Sequence, residues 1–252
     1  MTPSDYHASA GSTVMASKPM DASEQNLWKK SAAESAARLV ESGMIVGLGT
    51  GSTAAFVVSA LGRRVADERL RILGIPTSER TAEQARLLQI PLTTLAEYTQ
   101  IDLTIDGADE VERGTLFLIK GHGGALLREK IVAVASKRMV VVADESKVSD
   151  RLGSLTSVPV EVVPFGWQAT EQKLKQLGAS PVLRLAADGK PYVTDGGHYI
   201  VDCTYGPMRA PEEVADHLDH VVGVVEHGLF LGVAAEVFVG GASGVKILTP
   251  SA

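Results

Sequence analysis

The chain has 252 residues, 45% hydrophobic but only 5% aromatic, so it can bury an aliphatic core in one large or two small domains. Its net charge of −6, from 24 basic and 30 acidic residues, argues against general nucleic-acid binding and against adsorption to an acidic membrane. A single cysteine, Cys203, excludes an internal disulfide and suits a cytoplasmic protein.

Met1–Ala22 is rich in Ser, Ala and Thr and has no apolar stretch, so it reads as a disordered leader rather than a secretory signal. No apolar run approaches the roughly 18 residues that a membrane helix needs. From Glu24 to Glu41 the apolar spacing predicts a helix, ended by Gly43. Met44–Leu48 is an all-apolar strand of the kind found in parallel sheets covered on both faces. A glycine-rich turn over Gly49–Thr53 leads into a helix over Ala54–Leu61. Arg71–Gly74 follows as a strand, Glu79–Leu88 as a helix and Ile101–Ile105 as a strand. Gly124–Ser136 reads as a helix and Met139–Ala143 as a strand. This alternation predicts a doubly wound, mostly parallel Rossmann-like α/β core.

The rhythm changes near Ser157. Strands are predicted over Val160–Val163, Val182–Leu185, Tyr192–Thr194 and Tyr199–Cys203, with turns at Asp188-Gly189 and Asp195-Gly196-Gly197. Helices are predicted over Thr170–Leu177 and from Pro211 to His217. Ala234–Val239 and Val245–Leu248 are again apolar strands. The expected organisation is an α/β core over 23–156 and 228–252, with a smaller inserted α+β domain over 157–227.

Three segments carry chemistry. Gly47-Leu48-Gly49-Thr50-Gly51-Ser52-Thr53 lies between a strand and a helix, where backbone N–H groups and the helix N-terminus favour an anion. Gly49-x-Gly51-x-x-Ala54 also fits a dinucleotide fingerprint. Yet the close of the second strand reads Gly74-Ile75-Pro76-Thr77-Ser78, with Glu79 poorly placed to hold a ribose. Asp106-Gly107-Ala108-Asp109-Glu110 places three acids after an apolar strand. Lys120-Gly121-His122-Gly123-Gly124 joins a cation to a glycine run that opens the helix carrying Glu129. Taken singly, the aspartates read as turn residues, and Glu129, Lys120 and Lys147 as surface residues. Together, carboxylates, an ammonium and free N–H groups suit proton transfer next to a carbonyl. His217 and His220 lack a third ligand at a recognisable spacing, so no metal is expected.

These segments, with Ala143-Asp144-Glu145-Ser146-Lys147, Pro159–Pro164 and Gly228-Leu229-Phe230, resemble the type A ribose-5-phosphate isomerase family from about Asn26 onward. The resemblance implies interconversion of ribose 5-phosphate and ribulose 5-phosphate through an enediolate, with neither cofactor nor metal. By position, Glu129 would be the base that moves a proton between C1 and C2. Lys120, Asp106, Gly107, Ala108 and Asp109 would surround the substrate oxygens, with Gly121, His122 and Gly123 beside them. Lys29, Thr50, Gly51, Ser52, Thr53 and Lys147 would hold the sugar or its phosphate. The partner is then a small sugar phosphate, not a nucleic acid or membrane, and the expected assembly is a homodimer or homotetramer. His122 and Gly196-Gly197-His198 depart from the family pattern. A nicotinamide-dependent oxidoreductase built on the Gly49 loop and a non-catalytic sugar-phosphate sensor are the competing readings.

Overall fold

The structure, a computed structural model, describes residues 21–251. Of the expected leader, residues 1–20 therefore lie outside the described residues. Asp21 already caps helix α1 (Ala22–Ala37), its Oδ1 accepting the Ser23 N–H at 3.3 Å. Then follow β1 (Ile45–Leu48), α2 (Ser52–Asp67), β2 (Leu73–Pro76), α3 (Glu79–Leu87), β3 (Leu103–Gly107), β4 (Glu110–Glu112) and β5 (Leu118–Ile119). Next come α4 (Leu126–Val134), β6 (Met139–Asp144), a 3-10 turn (Glu145–Lys147), β7 (Val148–Ser149), β8 (Val158–Val162), α5 (Trp167–Gln176) and β9 (Ser180–Leu183). The chain finishes with β10 (Tyr199–Thr204), α6 (Pro211–Asp219), β11 (Val224–His227), β12 (Leu229–Phe230), β13 (Ala234–Gly241) and β14 (Gly244–Leu248).

The central sheet has the order β14-β13-β6-β3-β1-β2. All its pairings are parallel except β13 with β14, which confirms the expected Rossmann-like core. β1, β3 and β6 are buried because helices cover both faces of this sheet, β1 and most of β6 as apolar residues and β3 with Thr104 and Asp106 among them. On one face α1 and α2 pack together, and the buried Ala32, Ala33, Ala36 and Ala37 of α1 allow the close approach. The helix stops at Ala37 rather than Glu41. There Arg64 of α2 donates from Nη1 to the carbonyls of Ala37 (2.6 Å) and Val40 (2.9 Å), satisfying groups that a longer helix would have used. On the other face lies α4, which contacts β3, β8 and β11.

A second, antiparallel sheet has the order β11-β8-β10-β9. Its core joins Val158, Val160, Val162, Val201 and Cys203 to Leu174 of α5 and Leu218 of α6. The strand expected over Tyr192–Thr194 does not form. Two tight turns flank it and Pro191 has no N–H, so only isolated bonds remain, from Tyr192 N to the Arg184 carbonyl and from Thr194 N to the His198 carbonyl, each 2.9 Å. A third sheet, β12-β5-β4-β7, was not expected, since strands of two and three residues carry no periodicity. No helix among the described residues is long and apolar enough to cross a membrane.

Candidate active site

β1 and β3 are neighbours, and the chain leaves them in opposite directions along the sheet, toward β2 on one side and β6 on the other. The crevice beyond the carboxyl ends of such a strand pair is where open α/β sheets bind ligands. The Thr50–Thr53 turn follows β1, and the Asp106–Asp109 turn ends β3. The two are tied directly, because Asp106 Oδ1 accepts the Thr50 N–H at 2.9 Å and the Gly107 N–H at 2.7 Å. Gly49 is required by this approach: a Cβ there would lie 2.1 Å from Asp106 Oδ1. Gly49→Ala is therefore expected to destabilise the fold by about 1–3 kcal/mol, the usual cost of overpacking, and to displace Asp106. Denaturant unfolding and turnover of the variant check both effects. Behind the turn, the Thr50 hydroxyl meets those of Thr77 (2.7 Å), Ser78 (2.8 Å) and Thr81 (3.1 Å), a buried network that fixes its position. Gly51 caps α2 without a side-chain bond, which leaves first-turn N–H groups facing the crevice.

The chemistry centres on three buried charges. Lys120 Nζ lies 2.9 Å from Asp106 Oδ2 and 3.2 Å from Glu129 Oε2, and donates to the Gly107 carbonyl at 2.6 Å. Relative exposure is 2% for Lys120, 0% for Asp106 and 2% for Glu129. Burial opposes the ammonium, but Asp106 and Glu129 outweigh it and hold the Lys120 pKa above its ordinary value. One cation cannot balance two carboxylates. Burial, aided by the Asp106 charge, pushes Glu129 up to about 8, against the pull of Lys120. Burial raises Asp106 as well. Two N–H donors and Lys120 favour the charged form of Asp106, whereas Glu129 has only Lys120, so Glu129 is the acid that more readily carries the extra proton.

A cleft of about 100 Å³ opens over these groups. It brings together Lys29, Thr50, Gly51, Ser52, Thr53, Gly107, Ala108, Asp109, Lys120, Gly121, Gly123, Glu129 and Lys147. Lys29 Nζ donates to Ser52 Oγ at 3.5 Å, and Asp144 caps the 3-10 turn that presents Lys147. Among the described residues neither lysine has a carboxylate within 4.0 Å, so both can meet an anion. Asp106 lies beneath the cleft rather than in its wall. The His122 side chain turns outward, with Nε2 2.7 Å from Thr156 Oγ1, while its N–H donates to Asp109 Oδ2 at 2.9 Å. His198 sits 2.9 Å from the buried Glu161, within the second sheet's loops.

Glu110, the third acid of its segment, has a different task. Its carboxylate accepts from Ser149 Oγ and from the N–H groups of Gly153, Ser154, Leu155 and Thr156, which fixes the loop against which His122 rests. A larger groove of about 840 Å³ runs between α5 and α6, but it is mostly apolar and includes none of the residues above. Asp219, Glu226 and His227 place ligand atoms within 4.8 Å of one another. Lys130 Nζ already sits 2.6 Å from Glu226 Oε1, an ammonium where a metal ion would bind, and burial together with Lys130 pushes His227 down to about 4. Glu79, the candidate ribose acid, instead pairs with Arg128 at 2.8 Å.

A Rossmann-like sheet carries an acid–ammonium–acid array at its carboxyl edge, beside two lysines and a helix N-terminus, an arrangement suited to proton transfer on an anionic substrate. Comparison with known proteins agrees. The profile for ribose 5-phosphate isomerase A (phosphoriboisomerase A) matches residues 73–244. Ribose-5-phosphate isomerase A of Gloeobacter violaceus is 57% identical over 227 residues, covering 90% of this chain and 98% of that one. The structure of ribose 5-phosphate isomerase A from Methanocaldococcus jannaschii superposes with a TM-score of 0.86 at 41% identity, covering 89% of this chain and 99% of that one. A D-ribose-5-phosphate isomerase in complex with phospho-erythronic acid gives the same TM-score at 37% identity, covering 88% and 98%. The chain belongs to the ribose 5-phosphate isomerase A family.

Proposed function

We propose that this protein interconverts D-ribose 5-phosphate and D-ribulose 5-phosphate by proton transfer, with Glu129 as the base. The observation that carries the reading is the buried Asp106–Lys120–Glu129 array, in which Glu129 is held near the pKa of a useful neutral-pH base. The Glu129 carboxylate takes the C2 proton of the open-chain aldose. The C–H electron pair forms a C1–C2 double bond, and the carbonyl π pair moves to O1, giving an enediolate. Transfer of the O2–H proton to O1, return of the carbon-bound proton to C1 and collapse of the O2 oxyanion to a carbonyl at C2 give the ketose. The oxyanion passing between O1 and O2 needs a cation or N–H donors in a dry site, and Lys120 with the loop N–H groups meets that need. Triosephosphate isomerase divides the work in the same way, between a glutamate base and a separate electrophile. The phosphate would rest on the Ser52 and Thr53 end of the cleft between Lys29 and Lys147. Phospho-erythronic acid, bound by the structural neighbour, has at its carboxylate the planar anionic form of an enediolate.

Formation of a ketopentose phosphate from ribose 5-phosphate, without nicotinamide and in the presence of EDTA, tests the reaction. No turnover with or without added divalent metal would remove it. Lys147→Ala is expected to weaken substrate binding by about 1–3 kcal/mol, the worth of a hydrogen bond to a charged group. Titration with a non-reactive pentose phosphate measures this, and unchanged affinity would contradict a phosphate role for Lys147.

A further inference from the structure

Arg184 lies just beyond β9 in the second sheet, outside the cleft, yet its guanidinium grips the glycine loop of the active site. Nη1 donates to the Gly121 carbonyl at 2.9 Å and to the His122 carbonyl at 3.2 Å. Its other edge is bidentate on Asp202, from Nε at 2.9 Å and from Nη2 at 2.5 Å. Side-chain exposure is 14% for Arg184 and 23% for Asp202, so the fork is only partly open to water. The Arg184 backbone is fixed from both sides, its N–H donating to the Ile200 carbonyl and its carbonyl accepting the Tyr192 N–H.

A trans peptide points its C=O and N–H in opposite directions, and there is no cis peptide among the described residues. In the Gly121–His122 peptide, the carbonyl faces Arg184 and the N–H reaches Asp109. In the His122–Gly123 peptide, the carbonyl again faces Arg184, so the Gly123 N–H must face the opposite way. Among the described residues that N–H has no protein partner, and Gly123 lines the cleft. Two successive N–H groups turned to one side form an anion-binding concavity. The first holds Asp109, and the second is free.

We infer that Arg184, clamped by Asp202, is a positioning residue that turns the Gly123 N–H into the cleft as a donor to the substrate's developing oxyanion. This rests on the proposed isomerisation. It differs from a purely structural tie between the two sheets, which would not act on one reaction state more than another.

The test uses the full chain with Arg184→Lys and Asp202→Asn. Both retain polarity, but the first loses the fork and the second loses the charge that aims it. Four quantities are measured: kcat, KM for ribose 5-phosphate, the inhibition constants of phospho-erythronic acid and inorganic phosphate, and the thermal midpoint. The expected result is a fall of roughly 10- to 100-fold in kcat and in phospho-erythronic acid affinity, with inorganic phosphate affinity and midpoint kept. Low millimolar guanidinium should restore part of the kcat of Arg184→Ala. Unchanged kcat overturns the inference. So does a parallel loss of kcat, phosphate affinity and midpoint, which marks a structural tie. If wild type fails to turn over ribose 5-phosphate, the isomerase reading falls on its own, and the ratio of the two inhibitor affinities still decides whether Arg184 orients the loop.

Discussion

Glu129→Gln is expected to lower kcat by roughly 10²- to 10⁴-fold with little change in substrate affinity. The substitution keeps the shape of a side chain that is 2% exposed and removes only its basicity. Isomerisation by wild type in D₂O should place solvent deuterium on the product carbon, because a carboxylate proton can exchange while the enediolate persists. Near-normal kcat in the Gln variant, with full retention of the substrate hydrogen, would reject Glu129 as base. The pH dependence gives a second check. Burial raises Glu129 from an ordinary 4.5 to about 8, so the acid limb of kcat/KM should lie near 8 rather than near 4.5. Stability has the opposite sign. Between those two values the folded protein holds a proton that the unfolded chain has released, so wild-type stability falls as pH rises through this window. The Gln variant lacks that slope and keeps a balanced Asp106–Lys120 pair. Its thermal midpoint should equal or exceed that of wild type near pH 9, whereas a merely structural glutamate would leave the variant weaker at every pH.

The parallel core was legible because β1 and most of β6 are buried runs of small and aliphatic residues, and β3, though it carries Thr104 and Asp106, is flanked by turn and helix signals that fit the same strand–helix alternation. The cleft was legible because turns that end parallel strands converge on one edge, so Thr50–Thr53 and Asp106–Asp109 meet once the strand order is fixed. What was not legible depends on distance along the chain. Nothing local shows that Lys120 is buried between two acids, since an isolated lysine looks like any surface lysine. Glu110 stands in the same acidic segment as Asp106 but is the first residue of β4, where it collects backbone N–H groups more than 40 residues away. Arg184 is 63 residues from Gly121, and one arginine after a short strand carries no sign of the loop it grips. The Tyr192–Thr194 segment has strand-forming residues, but the turns around it leave no partner for a ladder.

Lys120→Met is expected to cost about 3–5 kcal/mol of stability, because removing one partner from a buried ion cluster leaves uncompensated charge. Met matches the aliphatic stem and keeps contact with Phe230, whose ring centroid lies 5.4 Å from Nζ, so the loss reports charge rather than a cavity. Asp106 and Glu129 would then face each other with no cation between them, and both folded-state pKa values should rise beyond their already raised positions. In wild type the raised Lys120 pKa means that its stabilisation is complete below its ordinary 10.5 and is lost only as pH rises through the still higher folded value. The deficit of the variant should therefore be smallest near pH 5, where both carboxyls can be protonated, and grow toward pH 9, where folding must hold them neutral against solution or bury them charged. Denaturant unfolding of both proteins across that range measures the difference. A deficit independent of pH would show that Lys120 stabilises through packing alone, and activity retained at the wild-type level would remove it from the oxyanion's surroundings.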